Sequence, residues 1–254
     1  QGTEGKTWYS LVTGDWDDWE TWTLDPSGAL PDNPDKETPT TSTTNTADKV
    51  VILTGKTVTI SSNDKINAGI SVEGRLELGT TTGHSFTEIK GNGRIVMETD
   101  NFPTGDETDF VSAGQGEGTV VYEGDSYDLS TLREFYDMEV NLNAGQTISL
   151  LNDYTINGKL TVKNGTLQIN DETDDRKINL TINGNLTVQS GASITTGTGN
   201  PFATDAYSIQ GGNMPADADY HNIYHQLTIG GDFQNDGTVR FTNLSAPLFN
   251  EFAT

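Results

Sequence analysis

An all-β solenoid, a parallel β-helix whose coils are short sheet strips, is the fold class this sequence predicts, and three observations predict it. Short strand-type alternations punctuated by Gly and Asn fill the chain from residue 49 onward. One phrase is written twice: "YTINGKLTVKNGTLQIN" at residues 154–170 returns as "LTINGNLTVQSGASITTG" at residues 180–197. Almost nothing has helical periodicity. A period in the twenties built of short strands is the mark of stacked sheet coils, each too small to hide its own apolar face. A β-sandwich also alternates, but it does not reproduce residue identities.

The opening residues 1–30 hold all four tryptophans, Trp8, Trp16, Trp19 and Trp22. A solenoid end exposes unpaired edges and core, so these residues are expected to plug the first coil as a Trp-rich cap. The competing reading is an aromatic platform of Trp16, Trp19 and Trp22 for sugar rings, which requires the three to be exposed and coplanar. Residues 31–48, "PDNPDKETPTTSTTNTAD", have linker composition and are expected to cross the surface.

The β-helix is expected over 49–254, with a loop insertion at 198–224. In "KVVILTGKTVTISS", Val51, Leu53, Val58 and Ile60 alternate on either side of Gly55-Lys56, which reads as strand, turn, strand. Further strands are expected at 70–78, 89–97, 119–122, 138–142, 147–151, 160–169, 178–188, 226–229 and 237–241. "STLREFYDMEV" is either a bent loop or a short helix sharing Leu132, Phe135 and Tyr136 on one face.

The repeat itself is an aliphatic residue, any residue, Gly, any residue, then Leu or Phe. It stands at Val72-Glu73-Gly74-Arg75-Leu76, Ile156-Asn157-Gly158-Lys159-Leu160, Ile182-Asn183-Gly184-Asn185-Leu186 and Ile229-Gly230-Gly231-Asp232-Phe233, with a looser copy at 89–95. From Ile156 to Ile182 is 26 residues, and from Ile182 to Ile229 is 47, because the insertion, a candidate contact loop, intervenes. Ile156, Leu160, Val162, Ile182, Leu186 and Val188 are expected to point inward. Gly or Asn at each corner is expected to take the left-handed backbone, and Asn to stack coil on coil.

Thirty-seven acidic residues against 14 basic ones give a formal charge of -23, a field that repels nucleic acid. No apolar run is long enough to insert in a membrane, and the absence of Cys excludes thiol chemistry. Of three histidines, His221 and His225 lie four apart near Asp217 and Asp219 without an assured third ligand, and His84 stands alone. Acidic clusters offer hard oxygen ligands for a structural Ca²⁺, with Asp106, Asp109, Asp171, Asp174 and Asp175 as the candidates, yet none fits an EF-hand or nonapeptide Ca²⁺ loop. No other cofactor is expected. Arg75, Arg94, Arg133 and Arg176 fall on different coils, so no acid and base pair, and no catalytic residue, is nominated. Thr57 and Thr59 suggest an ice-binding face but do not repeat in register. Of the sequons at Asn164, Asn179, Asn185 and Asn243, three fall inside the repeat, where Asn and Thr already have structural reasons to be present.

Ordered segments, "GDWDDWETWT", "DKVVILTGKTVTI", "GRLELGTTTGHSF", "GNGRIVMETDNFPTGD", "REFYDMEVNLNAG" and "NDGTVRFTNLSAP", cover nearly the whole chain. Together they resemble the N-terminal region of very large surface proteins of Bacteroidota exported by the type IX secretion system, some of them gliding-motility adhesins. That resemblance implies a right-handed parallel β-helix, an extracellular cell-surface location, and the type IX machinery with surface or glycan ligands as partners. It carries no catalytic motif. The expectation is a non-enzymatic structural and adhesive module whose chain starts at a processed end and continues beyond 254; a carbohydrate-active β-helix, lyase or glycan-binding, is the alternative.

Overall fold

The computed structural model describes residues 5–39, 48–112, 114, 116–169, 178–196 and 226–240. They form a parallel β-solenoid, with helical turns at Trp19–Thr21 and Thr108–Val111 among them. The chain divides into two compact units, Gln1–Gly124 with Glu134–Glu139, and Asp125–Arg133 with Val140–Thr254.

In the first unit, Thr7–Ser10, Lys49–Ile52, Gly69–Val72 and Ser85–Lys90 stack in parallel as one strip. Gly14–Asp15, Thr57–Thr59, Arg75–Gly79, Arg94–Met97 and Thr119–Gly124 stack as another. The register places like on like: Val58, Leu76, Ile95 and Val120 form one inward column, each fully buried. That column is how a coil with few apolar residues acquires a core, since each side chain is covered by its equivalents above and below.

The opening residues are part of this stack. Thr7–Ser10 runs parallel to Lys49–Ile52, and Trp22–Thr23 then folds back antiparallel onto Tyr9 and Ser10, closing the sheet edge. Trp8, Trp16 and Trp22 fill the end of the core at 1%, 0% and 1% exposure. Trp22 meets Trp16 edge-on with ring centres 5.2 Å apart, and its Nε1 donates to the Trp16 carbonyl at 2.8 Å. Asp48 clamps the same end, accepting from the Lys6 amide at 2.9 Å and Trp8 Nε1 at 3.1 Å. Residues 31–39 lie mostly on the surface, but Asn33 is buried and its Nδ2 donates to the carbonyls of Trp19 and Glu37.

The second unit repeats the scheme. Tyr154–Ile156, Asn179–Ile182 and Gln226–Ile229 stack, as do Leu160–Ile169, Leu186–Val188 and Phe233–Asn235. Leu160–Ile169 also pairs with Thr147–Leu150 and Ala192–Thr196, so one strand serves two strips by bending at Gly165, whose φ is +77°. Ile156, Leu160, Val162, Ile182, Leu186 and Val188 are all fully buried, as expected.

Three expectations need correction. In residues 49–53 the buried residues are Val50 and Ile52, with Val51 half-buried: stacking of Val50 on Trp8 sets the phase one residue away from the one read in sequence. The segment around Leu132 is not helical; Glu134–Phe135 is a strand, with Phe135 and Leu132 buried and Tyr136 half-exposed.

The third correction concerns the repeat's glycine. Gly74, Gly93, Gly184 and Gly231 do not have positive φ. A Cβ at Gly74 would lie 2.3 Å from the Lys56 oxygen, at Gly93 2.2 Å from the Gly74 oxygen, and at Gly184 2.2 Å from the Gly158 oxygen. The motif therefore needs Gly because the backbones of successive coils touch there. Left-handed φ is used elsewhere, at Gly55 and Gly145, and no described Asn adopts it. Asn does stack, with Asn183 Nδ2 donating to Asn157 Oδ1 at 3.2 Å. No described helix is long and apolar enough to cross a membrane.

Candidate functional site

Arg75 and Arg94 each follow the glycine of a motif copy, so the stack places them side by side on the outward face of adjacent strands. Strand spacing of about 4.8 Å would set two like charges against each other. Carboxylates on the same strand and on other coils relieve this. Arg75 Nε lies 2.7 Å from Glu77 Oε1 and its Nη2 3.6 Å from Glu123 Oε1; Arg94 Nη2 lies 2.7 Å from Glu139 Oε2. Thr59 Oγ1 donates to the other Glu77 oxygen at 3.1 Å. The Glu139 side chain is only 11% exposed, whereas both guanidiniums are about one-third exposed. Nearby, burial and then the Glu117 charge push the Tyr136 hydroxyl above its ordinary range.

Guanidinium forks recognise carboxylates in bidentate fashion, and here the protein's own carboxylates engage them. Sequence reading scattered Arg75 and Arg94 over separate coils and nominated no pair. The signal that joins them is their shared position after Gly74 and Gly93 in "EGRLEL" and "NGRIVM".

The other candidates do not converge. Trp16 and Trp22 are buried at right-angled tilt (74°), so they offer no coplanar platform. Trp19 is half-buried, and Lys36 Nζ sits 4.9 Å from its ring centre. Asp106 is exposed, and bonds from the Thr108 hydroxyl and amide hold its carboxyl below the usual range. Asp109 is half-buried in the Thr108–Val111 turn. Among the described residues no three His, Asp or Glu side chains group as a metal site. Asp171, Asp174, Asp175, Arg176, His221, His225, Asn243 and the 198–224 insertion lie outside the described residues.

Thr57 and Thr59 pair with Arg75 and Glu77, out of Thr register as expected, although in the second unit Thr155, Thr181 and Thr228 do form one in-register column. The three described sequon asparagines are engaged structurally: Asn164 Nδ2 donates to the Leu142 carbonyl, Asn179 Nδ2 to Asp153, and Asn185 Oδ1 accepts from the Asp232 amide. No family model, curated protein or solved structure matches the chain.

Proposed function

We propose that the chain is a non-catalytic structural and adhesive module of a large secreted cell-surface protein, in the manner of a gliding-motility adhesin exported by the type IX system. One observation carries the reading: among the described residues, successive coils are bonded to one another through backbone amides and polar side chains. The amide of Gly184 donates to Gly158, that of Gly231 to Gly184, and Asn183, Asn185 and Asp48 all bond across coils or across the cap. Coils held to one another by backbone bonds within each unit make a stiff support, which suits a spacer that presents a contact loop. The -23 charge supports an exposed, soluble location. The test is to display the chain on beads and measure retention on cells and glycan-coated surfaces while assaying the fluid for shortened polysaccharide. Retention without product is expected; turnover of polysaccharide overturns the reading.

A second reading, a carbohydrate-active β-helix, is favoured by the Arg75, Arg94, Glu77, Glu123 and Glu139 cluster. It expects Arg75→Gln with Arg94→Gln to abolish binding of an acidic oligosaccharide in the presence of Ca²⁺. Equal binding by the double variant would remove its support.

A further inference from the structure

His84 is a buried histidine at a corner of the first unit, 3% exposed, and both of its ring nitrogens are engaged. Nδ1 accepts from the Lys65 amide at 3.3 Å, and Nε2 lies 3.0 Å from Thr81 Oγ1. The Thr81 hydroxyl donates its own proton to the Leu78 carbonyl at 2.5 Å. The ring is therefore the neutral tautomer with its proton on Nε2, donating to Thr81.

Around this ring four chain segments meet. Lys65, itself buried, places Nζ 2.5 Å from Asp17 Oδ1, and Asp17 also accepts from Ser62 Oγ at 2.6 Å, which ties the cap turn to the corner. Burial pushes the Asp17 carboxyl up, but the bonds from Lys65 and Ser62 and the Lys65 charge bring it below its ordinary range. Asp64 holds a left-handed backbone, φ +60°, secured by its amide bond to the Thr82 carbonyl at 2.9 Å. On the next coil the Thr104 amide donates to the His84 carbonyl at 3.0 Å, and Asn101 Nδ2 bonds the Thr81 carbonyl.

We propose that His84 is an acid-sensitive latch for the N-terminal cap: a proton taken up on Nδ1 ends its bond to the Lys65 amide and loosens the corner that Lys65 ties to Asp17. The proton occupies the lone pair that the Lys65 N–H requires, so two N–H groups face each other. The new imidazolium also lies close to the Lys65 ammonium. Burial and then the Lys65 charge oppose the proton, while the Thr81 backbone and the Asp64 charge favour it less strongly, so the ring binds its proton below the ordinary histidine range. The carboxylates of the segment stacked above are Asp100 and Asp106, of which Asp106 is exposed and engaged by Thr108. Release accordingly requires a pH below the ordinary histidine range.

The test uses the full chain. Hydrogen exchange at the Lys65 amide, corrected for intrinsic rate, is followed from about pH 7.5 to about pH 5 in the natural protein and in His84→Asn, whose amide oxygen can replace Nδ1 without titrating. The natural chain is expected to lose protection by about tenfold across that range, and the variant to stay level. Protection unchanged in the natural chain, or an equal loss in His84→Asn, overturns the proposal. Should the variant fail to fold, an NMR titration of the His84 ring decides: a ring pKa below the ordinary 6.5 with a coincident shift of the Lys65 amide supports the latch, and a value at or above it overturns it.

Discussion

The amide of Gly184 donates to the carbonyl of Gly158 in the preceding coil at 2.9 Å, and a methyl group placed on Gly184 would stand 2.2 Å from that same oxygen. The contact that holds the two coils together is thus the contact that forbids a side chain. Gly184→Ala should force the coils apart and cost on the order of 2–3 kcal/mol in denaturant unfolding. Gly55 provides the contrast, since nothing lies within 4 Å of a Cβ there and the strain comes only from its φ of +79°. Gly55→Ala should cost about 1 kcal/mol, and Gly55→Asn less than that, because Asn tolerates the left-handed region.

Leu160, Leu186 and Phe233 occupy one register position in successive coils, yet Leu186 is fully buried while Phe233 is 49% exposed. Leu186→Ala is expected to cost about 3 kcal/mol through lost transfer energy and a cavity. Phe233→Ala, at the last described coil, should cost about 1 kcal/mol or less. Equal losses at the two sites would show that the burial gradient is wrong.

At the other end, Trp22 is both a filler and a donor to the Trp16 carbonyl. Trp22→Phe keeps an aromatic ring but leaves that buried carbonyl without its indole partner, and a loss of about 2–3 kcal/mol is expected; Trp22→Ala should lose about 4 kcal/mol. Trp19→Ala, by contrast, removes a half-buried ring and should lower stability by about 1 kcal/mol.

Asp25 makes a pH prediction. Its carboxylate accepts from the Ser27 hydroxyl at 2.5 Å and from the amides of Ser27, Ala29 and Leu30, which lower its pKa to about 2. A depressed carboxylate contributes stability that is present above the unfolded value of 3.8 and lost as pH falls toward about 2. Exchange protection of the Leu30 amide should therefore persist at pH 5 and disappear in that acid window. Asp25→Asn should weaken that protection at pH 5 and above, where the natural carboxylate is ionised.

Much of the fold was legible because the repeat carries identities: Ile156 over Ile182 and Leu160 over Leu186 follow from aligning the two phrases. The phase at Val50 was not, because Val-Val-Ile is apolar at every position and only its seat on Trp8 decides which side faces in. The reason for the motif's glycine was hidden too, since close approach and positive φ both select Gly, and distinguishing them requires the neighbouring coil. The Arg75 and Arg94 pair was present in the sequence as a shared motif position, while its partners Glu123 and Glu139 come from coils that carry no copy of the motif. His84 looked like a lone histidine because its partners Lys65, Thr81 and Thr104 are linked to it by corner geometry and not by spacing.

The measurement that bears most directly on the account is the intact mass and location of the native polypeptide containing these 254 residues, recovered by labelling the outer surface of the source cells. A surface-exposed polypeptide far longer than 254 residues, with no polysaccharide-cleaving activity in its solenoid, is the predicted result. A protein confined to the cell interior, or a surface protein whose solenoid depolymerises an acidic glycan, would contradict it.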